Sequence, residues 1–300
     1  MRQDFYRDIP GSQFFKQLQY LDSSGQEMCF RVERKTGSSL LLRLSPPDTY
    51  EEKRVEFKNL RRLYSLGIPM SYPQDLGFCS EGEYLYILFS DIQGQRADEV
   101  LPFLTPLRQY QLGISAGQIL RKIHTLSPRE PYDWDEHFSA VTEHCLSSYE
   151  TCGEQLENED AFLQFIRKSK NFLHHRPVQV LHGAFHPANF LITPYQTLAI
   201  TGFTHQTGDP LTDFCALPNS YNVSVPFCVG EIDGYFSGES VPMDFFRLTA
   251  FYLAVDTLSS LSFACTRDRQ AIQAVHANAN RLLNWYQDFQ TVVPSWYRQS

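Results

Sequence analysis

The segment HGAFHPAN, residues 182–189, holds two imidazoles four residues apart and an amide side chain. On a helix, histidines at this spacing share one face and can bind zinc together. Gly183 and Pro187 argue against a helix here, because both residue types disfavour helix interiors. We therefore expect His182 and His186 to brace a loop by hydrogen bonds rather than to bind a metal ion.

Further titratable groups follow this segment. Asp209 and Asp213 lie in GDPLTDF, residues 208–214, and His205 lies in the loop before it. A carboxylate or an imidazole acts as a general base when it lies within hydrogen-bond reach of the proton that it removes. The spacing alone leaves all three side chains open as candidates.

These two segments carry a family resemblance. HGAFHPAN resembles the H-G-D-x-H-x-x-N motif of the aminoglycoside phosphotransferase and choline kinase family, and GDPLTDF resembles the G-D-P-x-x-D-[LF] segment that follows it. Other segments, in the same order along nearly the whole chain, are similar to one bacterial branch of that family: LLLRLS, VEFKNLRRLYSLGIPMSYP, LGISAGQILRKIH, GEIDGYFSGE, AFYLAVDTLSS and VPSWY. Any one of these segments alone is weak evidence for the family, but all of them together, in this order, are specific for it.

The resemblance implies phosphoryl transfer from ATP or GTP, with Mg²⁺, to a small hydroxylated molecule, which is cationic in the case of aminosugars. In the family, the Asp of H-G-D orients and deprotonates the attacking hydroxyl. Ala184 stands at that position, and a methyl group cannot accept a proton. The loss of a general base costs about 10²- to 10⁴-fold in rate, although positioning still supports some transfer.

The second acid of the family is a metal ligand that opens an I-D-F or I-D-W segment. The corresponding segment is LAITGF, residues 198–203. If Phe203 matches the aromatic residue, Gly202 takes the Asp position; matching without a gap puts Thr201 there. We prefer the first register because it keeps the aromatic residue. Asn189, the other expected ligand, is present, but Mg²⁺ prefers several hard oxygen ligands, so we expect its binding to be weak or lost.

The resemblance also places nucleotide-binding residues in the first part of the chain. Arg43 takes the place of the strand residue that binds the phosphates, and Glu56 is its expected ion-pair partner, with Glu52 as the second choice. The loop over the phosphates would be LDSSGQ, residues 21–26, in which Ser23 and Ser24 offer hydroxyl groups. Residues 89–94, FSDIQG, would be the hinge against which an adenine packs.

The acceptor would lie against acidic side chains. The candidates are Asp209, Glu231, Asp233 and Asp256, and no motif fixes their direction. In the family, Asp209 and Asp213 look structural, bracing the loop and capping the next helix. Tyr235 and Phe236 fit a core position at least as well as a pocket wall.

The elements that must position these residues follow from the hydrophobic pattern. Residues 26–34 and 39–45 form a predicted hairpin around Gly37, a helix with Phe57, Leu60 and Tyr64 on one face follows, and residues 75–92 form a second hairpin. Helical patterns cover residues 105–126, 138–150, 161–173, 244–262 and 267–289. We predict an α+β, protein-kinase-like bilobal fold, with a small β-rich nucleotide-binding lobe at residues 1–92, a larger helical lobe at residues 93–300, and a cleft between them.

Composition limits the partners. The net charge of −8 disfavours nucleic-acid phosphates, and 42% apolar residues are typical of a globular core. We see no run of apolar residues long enough to span a membrane and no signal peptide. Seven scattered cysteines without a C-x-x-C pair suit reduced thiols in a cytoplasm.

Three functions stay open: an active kinase of a small molecule, a kinase-fold protein that binds a nucleotide or ligand with little or no transfer (a pseudokinase), and a partner-binding protein with a vestigial site. The two missing acids favour the second for this chain. The sequence does not distinguish natural from introduced substitutions, and it leaves enzymatic activity open.

Overall fold

The structure is a computed structural model that describes residues 4–24, 26–128, 132–204 and 206–298. The strands are β1 (Phe15–Ser24), β2 (Glu27–Arg34), β3 (Leu40–Ser45), β4 (Pro73–Cys79), β5 (Tyr84–Ser90), β6 (Gln95–Arg96), β7 (Gln179–Val180), β8 (Phe190–Ile192), β9 (Leu198–Ile200) and β10 (Thr207–Gly208). The helices are α1 (Tyr50–Ser65), α2 (Ala97–Val100), α3 (Pro106–Ile123), α4 (Trp134–Thr151), α5 (Glu159–Ser169), α6 (Leu217–Val223), α7 (Val225–Tyr235), α8 (Met243–Ala264) and α9 (Arg269–Tyr286).

The first part of the chain builds an antiparallel sheet with the strand order β1-β2-β3-β5-β4. Alternation along the strands directs one set of apolar side chains to a common face, where Phe30, Leu42 and Leu44 are buried. Phe5 and Ile9, from the segment before β1, cover that face. The hairpins turn where the sequence predicts, since Gly37 and Gly82 adopt positive φ angles of 84° and 89°.

The predicted helix is present as α1, and of the three apolar residues predicted on one face Leu60 is buried, Phe57 is half-buried and Tyr64 is exposed. Its buried side chains are Lys53, Glu56, Leu60 and Leu63, whereas Tyr64 is 42% exposed. Apolar periodicity did not show Lys53 and Glu56 on the buried face, because charged side chains are buried there as an ion pair.

The chain divides into two compact units: Met1–Arg96 with Phe190–Thr201, and Ala97–Asn189 with Gly202–Ser300. The first unit contains the five-stranded sheet, α1 and the small sheet β6-β8-β9, and the second contains α2 to α9 with the β7–β10 pair. A β-rich unit and a helical unit confirm the predicted α+β class. The functional boundary at residues 92 and 93 stays a prediction.

Helices α3 and α7 of the second unit cross with their backbones in direct contact. Each contributes two glycines one turn apart: Gly113 and Gly117 on α3, and Gly230 and Gly234 on α7. A Cβ atom at Gly117 would lie 2.1 Å from a backbone oxygen of α7, and one at Gly234 would lie 2.2 Å from a backbone oxygen of α3. The crossing therefore depends on the absence of side chains at these positions, and it fixes the direction of the α7 side chains between them.

Among the described residues, no helix is both long and apolar enough to cross a membrane.

Gly117→Ala should destabilise the protein by about 3 kcal/mol, because its methyl group meets backbone atoms that cannot move aside. The matched control is Gly153→Ala: Gly153 has a φ of 83° and open space around it, so this change costs only backbone strain, about 1 kcal/mol. Urea unfolding followed by circular dichroism measures both. Equal unfolding midpoints for the two variants would contradict the backbone contact.

Candidate active site

A buried carboxylate holds the loop at residues 182–189 in place. The backbone N–H groups of His182 and Gly183 donate to the two carboxylate oxygens of Asp213, at 2.8 and 2.6 Å. His124 Nε2 lies 2.9 Å from the same carboxylate. Burial raises the pKa of Asp213, but the hydrogen bond and charge of His124 outweigh it, so the pKa lies below its ordinary value. Asp213 is thus a charged anchor of the loop rather than a free base.

The loop is not an α-helix, and its histidines do not share a helix face. Pro187–Asn189 form a single 3-10 turn. The ring of His182 is fully buried, and its Nδ1 accepts from the N–H of Ala184 at 3.2 Å. Gly183 has a φ of 81°, and a Cβ atom there would lie 1.7 Å from Thr204 Oγ1, so the turn admits only glycine.

Ala184, Asn189 and Gly202 lie next to one another. Asn189 Nδ2 donates to the carbonyl oxygen of Ala184 at 2.9 Å. A Cβ atom built on Gly202 would lie 2.6 Å from Asn189 Oδ1, so the amide fills the space beside Gly202. Phe203 packs against the His182 ring with the centroids 4.5 Å apart. Gly202 has a φ of 71°, a conformation that Asp and Asn tolerate better than most side chains.

Thr201 ends the segment of the first unit that follows β9 and is half-buried. His205, the other candidate base, lies outside the described residues. His186 is half-buried, with Nε2 at 3.4 Å from Asn189 Nδ2.

Asp209 is fully buried and fully bonded. Its carboxylate accepts from Arg176 Nε, from Arg176 Nη2 at 3.2 Å, and from the Tyr252 hydroxyl at 2.8 Å. It also caps the 3-10 turn that follows by accepting from the N–H of Leu211 at 2.9 Å. Arg176 belongs to no recognised motif, so nothing in the sequence indicated that it binds Asp209. In this arrangement Asp209 cannot contact an acceptor molecule.

Asp233 and Glu231 are buried where α7 crosses α3. Asp233 accepts from the hydroxyls of Tyr110 and Tyr297, both at 2.8 Å, so it joins α3, α7 and the VPSWY segment. Glu231 has no exposed surface, and neither carboxyl oxygen has a hydrogen-bond partner among the described residues. Burial raises its pKa to about 8. The structure thus directs both predicted substrate residues into the interior, because the glycines beside them set the helix rotation. Asp256, on α8, is exposed.

Arg43 belongs to a cluster of four charged side chains in the first unit. Arg43 Nη2 forms an ion pair with Glu56 Oε1, as the sequence predicts, and its guanidinium lies 5.2 Å from the centre of the Phe89 ring. Glu52, the second choice, is exposed. Lys53 and Glu27 complete the cluster, with Lys53 Nζ 2.8 Å from Glu56 Oε2 and paired with Glu27 Oε1.

Sequence reasoning missed Lys53 and Glu27, although two signals were present. Lys53 precedes Glu56 by three residues, a spacing that brings helix side chains together. Glu27 follows the turn of the predicted phosphate loop. Burial lowers the pKa of Lys53, but hydrogen bonds to Glu27 and Glu56 outweigh it and hold the pKa above its ordinary value.

The other residues predicted to bind the nucleotide lie in the phosphate loop and in the hinge segment. Ser23 is exposed near the end of β1, and Ser24 ends that strand, with its side chain outside the described part. In the hinge segment, Asp91 accepts from Arg31 Nε at 2.9 Å and from Ser39 Oγ at 2.7 Å, so the backbone there is tied to the sheet.

A model described as the phosphotransferase enzyme family matches residues 21–236. The chain belongs to this family. No curated protein matches the chain. The family resemblance carried by the HGAFHPAN and GDPLTDF segments is thereby confirmed.

Several solved structures of kinases and phosphotransferases have a similar fold. A choline/ethanolamine kinase family protein from Mesorhizobium loti superposes with a TM-score of 0.66 at 18% identity, over 96% of this chain and 95% of that chain. The GDP complex of wild-type aminoglycoside 2'-phosphotransferase-IIIa gives 0.66 at 14% identity, over 92% and 94%. The streptomycin–ATP complex of APH(2'')-IIa gives 0.63 at 15% identity, over 94% and 96%. These matches confirm the kinase-like fold.

Glu231→Gln should remove the part of the pH dependence of stability that comes from Glu231. The folded protein keeps the Glu231 proton up to about pH 8, whereas the unfolded chain releases it near its ordinary value of 4.5. The folded pKa is raised, so this contribution is present below pH 4.5 and is lost as the pH rises to about 8, by roughly 1 kcal/mol per pH unit. Glutamine keeps the shape without the proton.

Urea unfolding of the wild type, Glu231→Gln and Glu239→Gln between pH 5 and 9 measures this slope. Glu239 is exposed, so its variant should follow the wild type. Parallel curves for the wild type and Glu231→Gln would show that Glu231 titrates normally.

Proposed function

We propose that this chain is a kinase-fold protein that binds a nucleotide, or a related small ligand, with little or no phosphoryl transfer. The observation that carries the proposal is the contact of Asn189 with Ala184 and with the space beside Gly202. The family resemblance requires acids at two positions. The chain has the methyl group of Ala184 at one and Gly202 at the other, and the Asn189 amide occupies the space that a side chain on Gly202 would need.

The neighbouring carboxylates do not replace the missing base. Asp213 binds two backbone N–H groups and His124, and Asp209 binds Arg176 and Tyr252. Moving either one to a reacting hydroxyl would leave buried partners without hydrogen bonds, which costs about 1–3 kcal/mol for each group and more for charged ones. A catalytic role for either is therefore not part of the proposal.

The residues present do not fit a magnesium ion. Asn189 directs its Nδ2 to Ala184, and Gly202 offers no side-chain oxygen. Among the described residues, no group of three or more His, Cys, Asp or Glu side chains is arranged to hold a metal. A side chain on Gly202 would point toward Asn189. Because two ligands of one ion must lie side by side, this direction supports the register in which Gly202, rather than Thr201, takes the Asp position.

Nucleotide binding has support from the fold and from the first unit. The solved structures that resemble this chain include complexes with ADP, GDP and ATP. Arg43, held by Glu56, supplies a guanidinium, which binds phosphate oxygens in pairs. We propose ATP or GTP as the ligand. Complexes of those proteins with streptomycin, kanamycin and gentamicin make a small hydroxylated cation the acceptor class to examine first. We place the protein in a bacterial cytoplasm, with neither nucleic acid nor a membrane as its ligand.

At one fixed ATP concentration, the melting temperature of the wild type should rise only slightly, by about 2–4 °C, and equally with and without Mg²⁺. The reason is that the predicted metal position lacks carboxylates. Differential scanning fluorimetry, beside an assay of phosphate release, measures this. A larger shift that requires Mg²⁺, together with turnover, would establish an active kinase instead, and no shift with any nucleotide would favour a partner-binding protein.

Restoring both acids should restore the missing chemistry. The double variant Ala184→Asp with Gly202→Asp should give a Mg²⁺-dependent shift with ATP and raise the rate of phosphate release by about 10²-fold or more. The matched control is Ala184→Asn with Gly202→Asn, which adds side chains of the same size without charge and likewise displaces the Asn189 amide. Equal behaviour of the two double variants would count against the proposed acid positions.

A further inference from the structure

Glu27 lies at the end of the β1–β2 hairpin, inside the charge cluster of the first unit. It pairs across the hairpin with Ser24, directly after the turn. Its Oε1 atom forms an ion pair with Lys53 Nζ and accepts from Ser45 Oγ at 3.3 Å, and its Oε2 atom lies 3.8 Å from Arg43 Nε. One carboxylate therefore contacts a hydroxyl and two cations, as an oxyanion ligand would.

The charges of the cluster separate into a fixed part and an exchangeable part. Glu56 contacts both Arg43 and Lys53, and its side chain is only 7% exposed. Glu27 is the most exposed member, at 27%. Without Glu27, two cations face one acid and the cluster carries a net positive charge; with Glu27 it is neutral. An anion is thus required to balance the site, and Glu27 is the acid that can leave.

Arg43 retains a donor that Glu27 does not satisfy. The Nε atom of Arg43 is buried and has no hydrogen-bond partner within ordinary distance among the described residues. The 3.8 Å to Glu27 Oε2 is too long for a hydrogen bond. A buried donor without an acceptor is costly, and a phosphate group, with three oxygens, reaches more donors at once than a carboxylate does.

We propose that Lys53 and Arg43 form a phosphate-binding site whose present occupant is the Glu27 carboxylate, so that a nucleotide must displace Glu27 to bind. This inference rests on the proposed nucleotide-binding function and adds Lys53 as a phosphate ligand. Glu27 acts as an internal competitor: it lowers the affinity for phosphorylated ligands and leaves the affinity for an unphosphorylated nucleoside unchanged.

The test compares ATP with adenosine by isothermal titration calorimetry in Mg²⁺-free buffer. Glu27→Gln keeps the size of the side chain and removes its charge, so it should tighten ATP binding about tenfold, the effect of one charged hydrogen bond, without changing adenosine binding. Glu33→Gln is the matched control, because Glu33 also lies on β2 but pairs at the surface with Lys16, at 3.4 Å. It removes the same charge from the chain and should leave the affinity for ATP unchanged.

A second variant at the same position keeps the test informative if Glu27→Gln does not fold. Glu27→Asp keeps the charge but shortens the side chain, so it loses contact with Lys53 and should bind ATP more tightly than the wild type and less tightly than Glu27→Gln. Melting temperatures show whether each variant is folded.

The outcomes separate the inference from the function on which it rests. ATP binding that is equal in the wild type and both Glu27 variants, or weaker in the variants, overturns the inference and leaves the proposed function intact. A gain that is the same for adenosine, or that Glu33→Gln reproduces, also overturns it. Absence of ATP binding in the wild type and in every folded variant overturns the proposed function and the inference together.

Discussion

The hydrogen bonds from the N–H groups of His182 and Gly183 to Asp213 are the interaction on which the second unit's site depends. They fix the backbone of the loop before any side chain of that loop acts. Asp213 is itself in contact with His124, so the anchor is a buried pair of side chains rather than a single acceptor. The loop can therefore keep its shape when the residue at position 184 changes, because its backbone is held without any contact from that side chain.

The two units treat buried charge in different ways. In the second unit, Asp209 and Asp213 each bind a basic partner and several donors, so their charges are compensated and their positions fixed. In the first unit, the cluster around Arg43 has equal numbers of positive and negative charges, but among the described residues no acceptor lies within hydrogen-bond distance of Arg43 Nε. The first arrangement is typical of a scaffold, and the second of a site that accepts a ligand.

Sequence reasoning predicted the two hairpins and the helix of the first part of the chain, the family and the Arg43–Glu56 pair, because hydrophobic periodicity and motif order are properties of the chain itself. It did not predict helices α6 and α7. It did not predict that Glu231 and Asp233 point inward. Their direction follows from the rotation of α7 against α3, which four glycines determine only once the helices meet. Arg176, Lys53 and Glu27 were missed for a similar reason: each acts through a partner from another element, and such partners are not marked by spacing along the chain.

The backbone at Gly202 has a consequence for how the chain could change. A φ of 71° strains every L-amino acid, and glycine alone adopts it without cost. Any other residue at this position meets both that strain and the amide of Asn189. An acid at this position would therefore require a stability reserve and a concerted rearrangement of the neighbouring amide. Folding stability thus retains glycine at this position, whatever chemistry a longer side chain would add.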